Sequence, residues 1–392
     1  MPWKETCAMD ERVRFVADWL SGESSKSALC RAYGISRPTG DKWIGRYLQD
    51  GAGGLTERSR APRTHPNAVP EALREQIVAM KLAHQSFGPK KVIDRLRAVQ
   101  PELAWPADST AGEILKRAGL VRPRQRRRRV APHTTPFAAC AQANDVWSAD
   151  FKGDFRLGNG RRCYPLTISD NHSRYLLACR GLASTHTEAV RPWFEWVFRE
   201  YGLPRAMRTD NGAPFASLAL GGLSRLSRWW IELGIRPERI RPGRPAQNGR
   251  HERMHRTLKN ATAVGTDFAA QQRRFDAFAH EYNWERSHEA LARTPPGQCH
   301  QVSPRAYPLR LQPIEYEAEV VVRRVRHNGE IKWRGKRLYL TEVLAGAPVG
   351  LEPVDEARWA IRYRFHPLGY LDERTGKIVS AGPWHGTTGH QV

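Results

Sequence analysis

Glu252 is the only carboxylate in residues 241–259, RPGRPAQNGRHERMHRTLK, where six Lys or Arg and two His surround it. On a surface made simply to hold phosphates, a lone Glu is a small repulsion, so its presence calls for a use. Two further acids stand at comparable places, Asp150 inside WSADFKGDF and Asp210 inside RTDNG, with gaps of 59 and 41 residues. Three carboxylates brought together repel unless cations sit among them. The economical cations are hard divalent ions with oxygen ligands, Mg²⁺ or Mn²⁺. Two such ions roughly 4 Å apart form a clamp for in-line displacement at phosphorus. The expected chemistry is therefore phosphoryl transfer, with Asp150, Asp210 and Glu252 as catalytic residues and as ligands of two ions.

Each acid taken alone has a plainer explanation. Asp145 and Asp154 compete with Asp150, Asp-Asn-Gly is a common turn, and Glu252 could pair with Arg256 at i+4. The elements around them favour the joint explanation. NDVWSADFKGDFRL, RCYPLTISD and SRYLLACRGL read as three antiparallel strands, followed by an amphipathic helix with Ala189, Trp193, Trp196 and Val197 on one face. PRAMRTDNG is a short strand running into a turn. A helix near 222–233, a strand GIRPERI and the helix AQNGRHERMHRTLKNA complete an α/β layer. If the first strand neighbours the PRAMRT strand, Asp150 and Asp210 come side by side, and a helix across the strand ends brings Glu252 to them. Arg256 and Lys259, four and seven residues on, and Asn248, four before, share the Glu252 face and are expected to follow a bound DNA strand; Asn211 beside Asp210 joins them.

Residues 1–50 hold three short helices with Ser24 or Ser25 and then Ser36 as caps. The first has Val13, Val16, Ala17 and Leu20 as its face, and the third has Trp43, Ile44, Tyr47 and Leu48. The joint YGIS makes this a helix-turn-helix, with Arg37, Thr39, Lys42 and Arg46 expected to read DNA. Residues 51–66 are a Gly- and Pro-rich linker. Residues 67–120 form a second helix-turn-helix-like unit, whose last helix is capped by Asp108 or Ser109 and closed by Gly119. Residues 121–134 begin VRPRQRRRRV, a run that repels itself until it meets phosphate, so Arg124, Arg126, Arg127, Arg128 and Arg129 are expected DNA contacts. Residues 317–392 return to short strands with an Asn-Gly hairpin turn.

WSADFKGDF, RTDNGAPF, PGRPAQNGRHERMHRTLK and YNWERSHEAL…TPPGQ, in this order, resemble the catalytic core of bacterial insertion-sequence transposases related to retroviral integrases. The resemblance covers residues 135–310. It implies a ribonuclease-H-like fold and an Asp-Asp-Glu triad, falling here on Asp150, Asp210 and Glu252. It further implies metal-dependent cleavage at element ends followed by attack of a 3′-OH on another strand. The second gap is longer than is usual for an integrase, with SLALGGLSRLS as the extra segment, and the zinc-binding His and Cys pairs at the front of retroviral integrases have no counterpart. The expected whole is an all-α arm, an α/β core and a small all-β barrel. Its partners would be double-stranded DNA, as element ends and as target, and further copies in a homodimer or higher oligomer.

The bulk composition agrees. A net charge of +23 and a pI near 10.3 call for a polyanionic partner. No apolar run approaches the roughly 20 residues of a membrane span, and no leader opens the chain, which places the expected location in the bacterial cytoplasm with the nucleoid. Six scattered cysteines without a C-x-x-C pair read as reduced. The opposing class is a catalytically silent DNA-binding regulator that keeps the arm alone.

Overall fold

The computed structural model describes residues 7–58, 68–121, 140–240 and 248–381. The chain divides into two compact units, Met1–Ala68 and Val69–Val392. In the first, helices α1 (Ala8–Ser21), α2 (Lys26–Ala32) and α3 (Arg37–Asp50) follow their caps: Ser25 accepts from Ala28 N–H and Ser36 from Thr39 N–H. The buried face of α1 is Phe15 and Val16 with Trp19 beside them, whereas Val13 and Leu20 are exposed. The large rings claim the interior because they remove more apolar area from water than a Val or Leu does.

The second unit opens with α4 (Glu71–Ala83), α5 (Pro89–Val99) and α6 (Asp108–Arg117) around Ile77, Phe87, Val92, Ile93, Ala111 and Leu115. The N-cap of α6 is Ala107, not Asp108 or Ser109. Asp108 is drawn off by Arg293, whose two terminal nitrogens donate to its two oxygens at 2.9 Å each. Arg293 also reaches Asp94 at 2.5 Å, and Arg286 donates to Ser86 at 2.9 Å, so α5 and α6 are fastened to residues 281–293.

The central sheet contains β1 (Val146–Phe151), β2 (Phe155–Arg156), β3 (Arg162–Asp170), β4 (Leu176–Leu182), β5 (Ala206–Thr209) and β6 (Arg236–Arg239). Its path is β2-β3-β1-β5-β6, with β4 on the other side of β3. The expected single strand over NDVWSADFKGDFRL breaks at Gly153, which takes a left-handed φ of 77°. β1 runs antiparallel to β3 and parallel to β5, and β5 runs parallel to β6. Helices α7 (Thr187–Tyr201) and α8 (Arg225–Glu232) cover one face over Trp147, Ala149, Leu166 and Ile168. α9 (Gly249–Ala261) and α10 (Phe268–His280) cover the other through Met254, Leu258, Phe275 and Phe278. The period-two alternation of β1 and β3 thus sends Trp147 and Ala149 to one side, and Ser148, Asp150, Thr167 and Ser169 to the α9 side.

The YNWERSH motif following α10 is a structural clasp. The Asn283 side chain accepts from Leu176 N–H and donates to Leu176 C=O, at 2.8 and 2.9 Å. A short helix, α11 (Pro296–Cys299), follows. The C-terminal region is all-β, with β7 (Val321–Arg324), β8 (Glu330–Trp333), β9 (Lys336–Tyr339), β10 (Pro348–Pro353), β11 (Arg358–Tyr363), β12 (His366–Asp372) and β13 (Lys377–Ser380). The expected barrel does not close among the described residues: β13-β12-β11-β10-β7 is an open sheet and β8-β9 a separate hairpin. The Asn-Gly turn also does not join paired strands. β7 pairs with β10, and the hairpin turns at Arg334-Gly335, both at positive φ. The sheet is seated on α8, where Arg364 donates to the carbonyls of Ile231 and Glu232 at 2.9 and 2.8 Å. The extra segment serves this seat, because Gly221 C=O accepts from Arg239 and approaches His366 Nε2 at 3.2 Å. None of the six cysteines is paired in a disulfide. No helix among the described residues is long and apolar enough to cross a membrane.

Candidate active site at the ends of β1 and β5

Asp150 sits near the end of β1, and Asp210 follows β5 directly. Ser148 pairs with Arg208 in the parallel ladder, so two residues further on Asp150 stands level with Asp210. Adjacent strands lie about 4.8 Å apart. Glu252 is in the first turn of α9 and exposed, on a helix whose His251, Met254, His255 and Leu258 face inward.

The electrostatics couple these acids. Burial pushes the Asp150 carboxyl up to about 7, the charge of Asp210 adds to that, and Glu252 contributes further in the same direction. Burial also raises Asp210, partly offset by the Gly212 N–H bonded to its carboxylate. Among the described residues no Lys or Arg lies within ion-pair distance of any of the three; the nearest basic nitrogen to Asp150 is His255 Nδ1, 3.8 Å from Oδ2. The rivals are satisfied elsewhere. Asp145 accepts from Gln142 N–H and lies 3.7 Å from Arg205, and Asp154 pairs with Arg162 at 3.3 Å. Partly buried carboxylates without a basic partner suit an oxygen-liganded divalent cation, so the residues fit the expected metal.

Sequence reasoning counted the two histidines of this stretch as charge and missed their role. His251 and His255 are four apart on α9, and Asp150, His251 and His255 each place a ligand atom within 4.8 Å of one another. Thr167 Oγ1 lies 2.7 Å from His251 Nε2, 2.6 Å from His255 Nε2 and 3.1 Å from Asp150 C=O, while Ser169 Oγ lies 3.0 Å from His251 Nδ1. Burial pulls His251 down to about 3 and His255 down to about 2, so both are neutral. The i, i+4 spacing was the available signal.

The other expected contacts are scattered. Arg256 and Lys259 are exposed on α9, whereas Asn248 is buried at its N-cap and makes no capping bond. Asn211 donates to Ile240 C=O at 2.8 Å, tying the exits of β5 and β6 together. In the first unit Arg37 and Lys42 are exposed. Thr39 is half-buried with its hydroxyl 2.9 Å from that of Ser36, and Arg46 lies over the Trp43 ring at 5.0 Å. Arg124, Arg126, Arg127, Arg128 and Arg129 lie outside the described residues.

Comparison with known proteins identifies the core. Residues 141–245 and 233–296 each match an Integrase core domain, residues 11–63 a Helix-turn-helix domain and residues 39–115 a Homeodomain-like domain. An insertion element IS476 protein of Xanthomonas euvesicatoria is 30% identical over 246 residues, 59% of this chain and 66% of the relative. An insertion element IS407 protein of Burkholderia multivorans is 29% identical over 239 residues, 58% of this chain and 81% of the relative. The chain carries an integrase core domain and is similar to insertion-element proteins. It spans slightly under two thirds of the IS476 protein's length. Among solved structures, the HTLV-2 integrase catalytic core domain in complex with magnesium covers 41% of this chain and 99% of its own, at 14% identity and a TM-score of 0.33. In this integrase core the three acids are carried by β1, the exit of β5 and α9, and the histidine pair lies beneath the third.

Proposed function

We propose that this integrase-core protein is a transposase, which binds the terminal inverted repeats of its insertion sequence, cuts there and joins the freed 3′-OH to target DNA. The reading rests on one observation above all. Asp150, near the end of β1, and Asp210, directly after β5, leave the same end of two adjacent parallel strands, and the charges of Asp210 and Glu252 both raise the proton affinity of Asp150. Carboxylates arranged to disfavour their own charge await a cation.

Asp150, Asp210 and Glu252 would hold the metal, two ions in the full site. When bound, the ions supply activation of the attacking oxygen and charge stabilisation at the leaving one. The chain's own residues do the rest. β1 carries Asp150, the end of β5 anchors Asp210 directly after it, and the buried face of α9 fixes the azimuth of Glu252. Arg256 and Lys259, exposed beyond Glu252, hold phosphates of the bound strand. Residues 1–50, with Arg37 and Lys42 outward, read the element ends. Residues 67–120, 135–310 and 317–392 divide the remaining work between end binding, chemistry and DNA support. Joining two ends requires at least two copies on DNA.

The test is a cleavage and strand-transfer assay on labelled DNA carrying the element's ends, with Mg²⁺ or Mn²⁺, comparing wild type with Glu252→Gln. Joined products that vanish in the variant while end binding persists support the proposal. Specific binding with no product from either protein makes the chain a DNA-binding regulator.

A further inference from the structure

Thr167 carries more contacts than its single proton can serve in every arrangement. Its hydroxyl touches Asp150 C=O, which only accepts, and Nε2 of both His251 and His255. One assignment satisfies all three: the hydroxyl donates to the carbonyl, and each imidazole donates Nε2–H into one of its lone pairs. Both Nδ1 atoms are then acceptors. That of His251 takes the Ser169 hydroxyl proton at 3.0 Å. That of His255 has no donor among the described residues and lies 3.8 Å from Asp150 Oδ2. A lone pair facing a carboxylate oxygen is repulsive unless a cation lies between them. Two ligands of one ion, each about 2.1 Å from it, stand about 3 to 4 Å apart.

We propose that His255 Nδ1 is a ligand of the divalent cation held by Asp150, so that this centre is a mixed nitrogen–oxygen site. The proposal rests on the metal-dependent reading given above. Thr167 and Ser169 act as positioning residues, setting the tautomer and the ring plane as a hydrogen bond on the other ring nitrogen does for metal-bound histidines generally. His251, with both nitrogens engaged, is a strut and not a ligand. A nitrogen donor shifts the site away from Mg²⁺, which favours oxygen cages, toward Mn²⁺ and Co²⁺.

The experiment is pulsed electron paramagnetic resonance on the full-length protein loaded with Mn²⁺, in wild type, Asp150→Asn, His255→Asn and His255→Gln. Wild type is expected to show echo modulation from a directly coordinated ¹⁴N that changes on ¹⁵N-histidine labelling. Both His255 variants should lose it, with Mn²⁺ affinity falling about 10- to 100-fold and Mg²⁺ affinity far less. Mn²⁺ that binds, is lost with Asp150→Asn and shows no nitrogen modulation overturns the histidine ligand alone. Modulation that survives in a folded His255 variant does so too. Mn²⁺ binding indifferent to Asp150→Asn overturns the metal site itself, and this inference with it. Should neither His255 variant fold, the wild-type spectrum decides, because His251 has no free nitrogen to offer.

Discussion

Replacing Asp150 by Asn should stabilise the metal-free core, and the gain should depend on pH. The Asp150 carboxyl rises from 3.8 to about 7 in the folded protein, with its side chain 19% exposed. A raised carboxyl contributes stability that is fully present below pH 3.8 and lost as pH climbs through about 7. Three units at 1.36 kcal/mol each set the loss at about 4 kcal/mol, an upper limit reached only if Asp150 is unperturbed in the unfolded chain. Asn does not titrate. In EDTA at pH 8 the variant should therefore exceed wild type by up to about 4 kcal/mol, and the two should converge near pH 4. Because the chain contains separable units, a global melting temperature is the wrong readout. Hydrogen-exchange mass spectrometry on peptides covering β1 and β3, compared between the proteins at each pH, reports the local opening free energy. Mg²⁺ at pH 8 should close the gap by stabilising wild type alone. A difference below about 1 kcal/mol that ignores pH would refute the reasoning, since it would make Asp150 an ordinary solvated carboxylate.

Apparent Mg²⁺ affinity, followed by titration calorimetry, should rise about tenfold per pH unit up to about pH 7 and flatten above it, because the cation displaces the Asp150 proton. Arg293→Ala strips Asp94 and Asp108 of their shared partner and should cost about 2 kcal/mol, less than a fully buried pair because the guanidinium is 37% exposed. Exchange should quicken across α5 and α6 and stay unchanged in β1. Trp43→Ala empties the centre of the first unit at about 3–5 kcal/mol, which should abolish end recognition in a gel-shift assay while non-specific metal-dependent nicking persists. Arg37→Ala or Lys42→Ala should each lower the salt dependence of DNA binding by about one unit of slope without touching nicking.

The positions of the acids were legible because each marks an element boundary: strand end, strand exit, helix start. Helix faces were less so. α7 presents six consecutive residues, Trp193 to Phe198, of which five are apolar, so its periodicity fits two registers. The sequence suggested Ala189, Trp193, Trp196 and Val197, but Val190, Phe194, Val197 and Phe198 are the buried set. Trp196 stays partly exposed with the Arg180 guanidinium 5.2 Å from its ring. α1 misled in the same way, its aromatic residues displacing the aliphatic stripe. The histidine strut was hidden for a different reason. Its partners, Thr167 and Ser169, are some 80 residues upstream, and no local pattern announces a hydroxyl pair under a helix. The unclosed sheet could not be foreseen from alternation, which fixes which side chains face inward but not whether the outermost strands meet.

The longer gap between Asp210 and α8 looked like surplus length, but it forms a strap. Asp210 lies at one end and Gly221, gripped by Arg239 and beside His366, eleven residues along. Between them Phe215 is wedged in the core and its carbonyl is held by the Ser224 hydroxyl at 3.1 Å. Load placed on the C-terminal sheet is thus carried toward one carboxylate of the site along a short, pinned cord, with Phe215 as its fulcrum. Trimming the cord to the usual length would slacken the sheet and the carboxylate together.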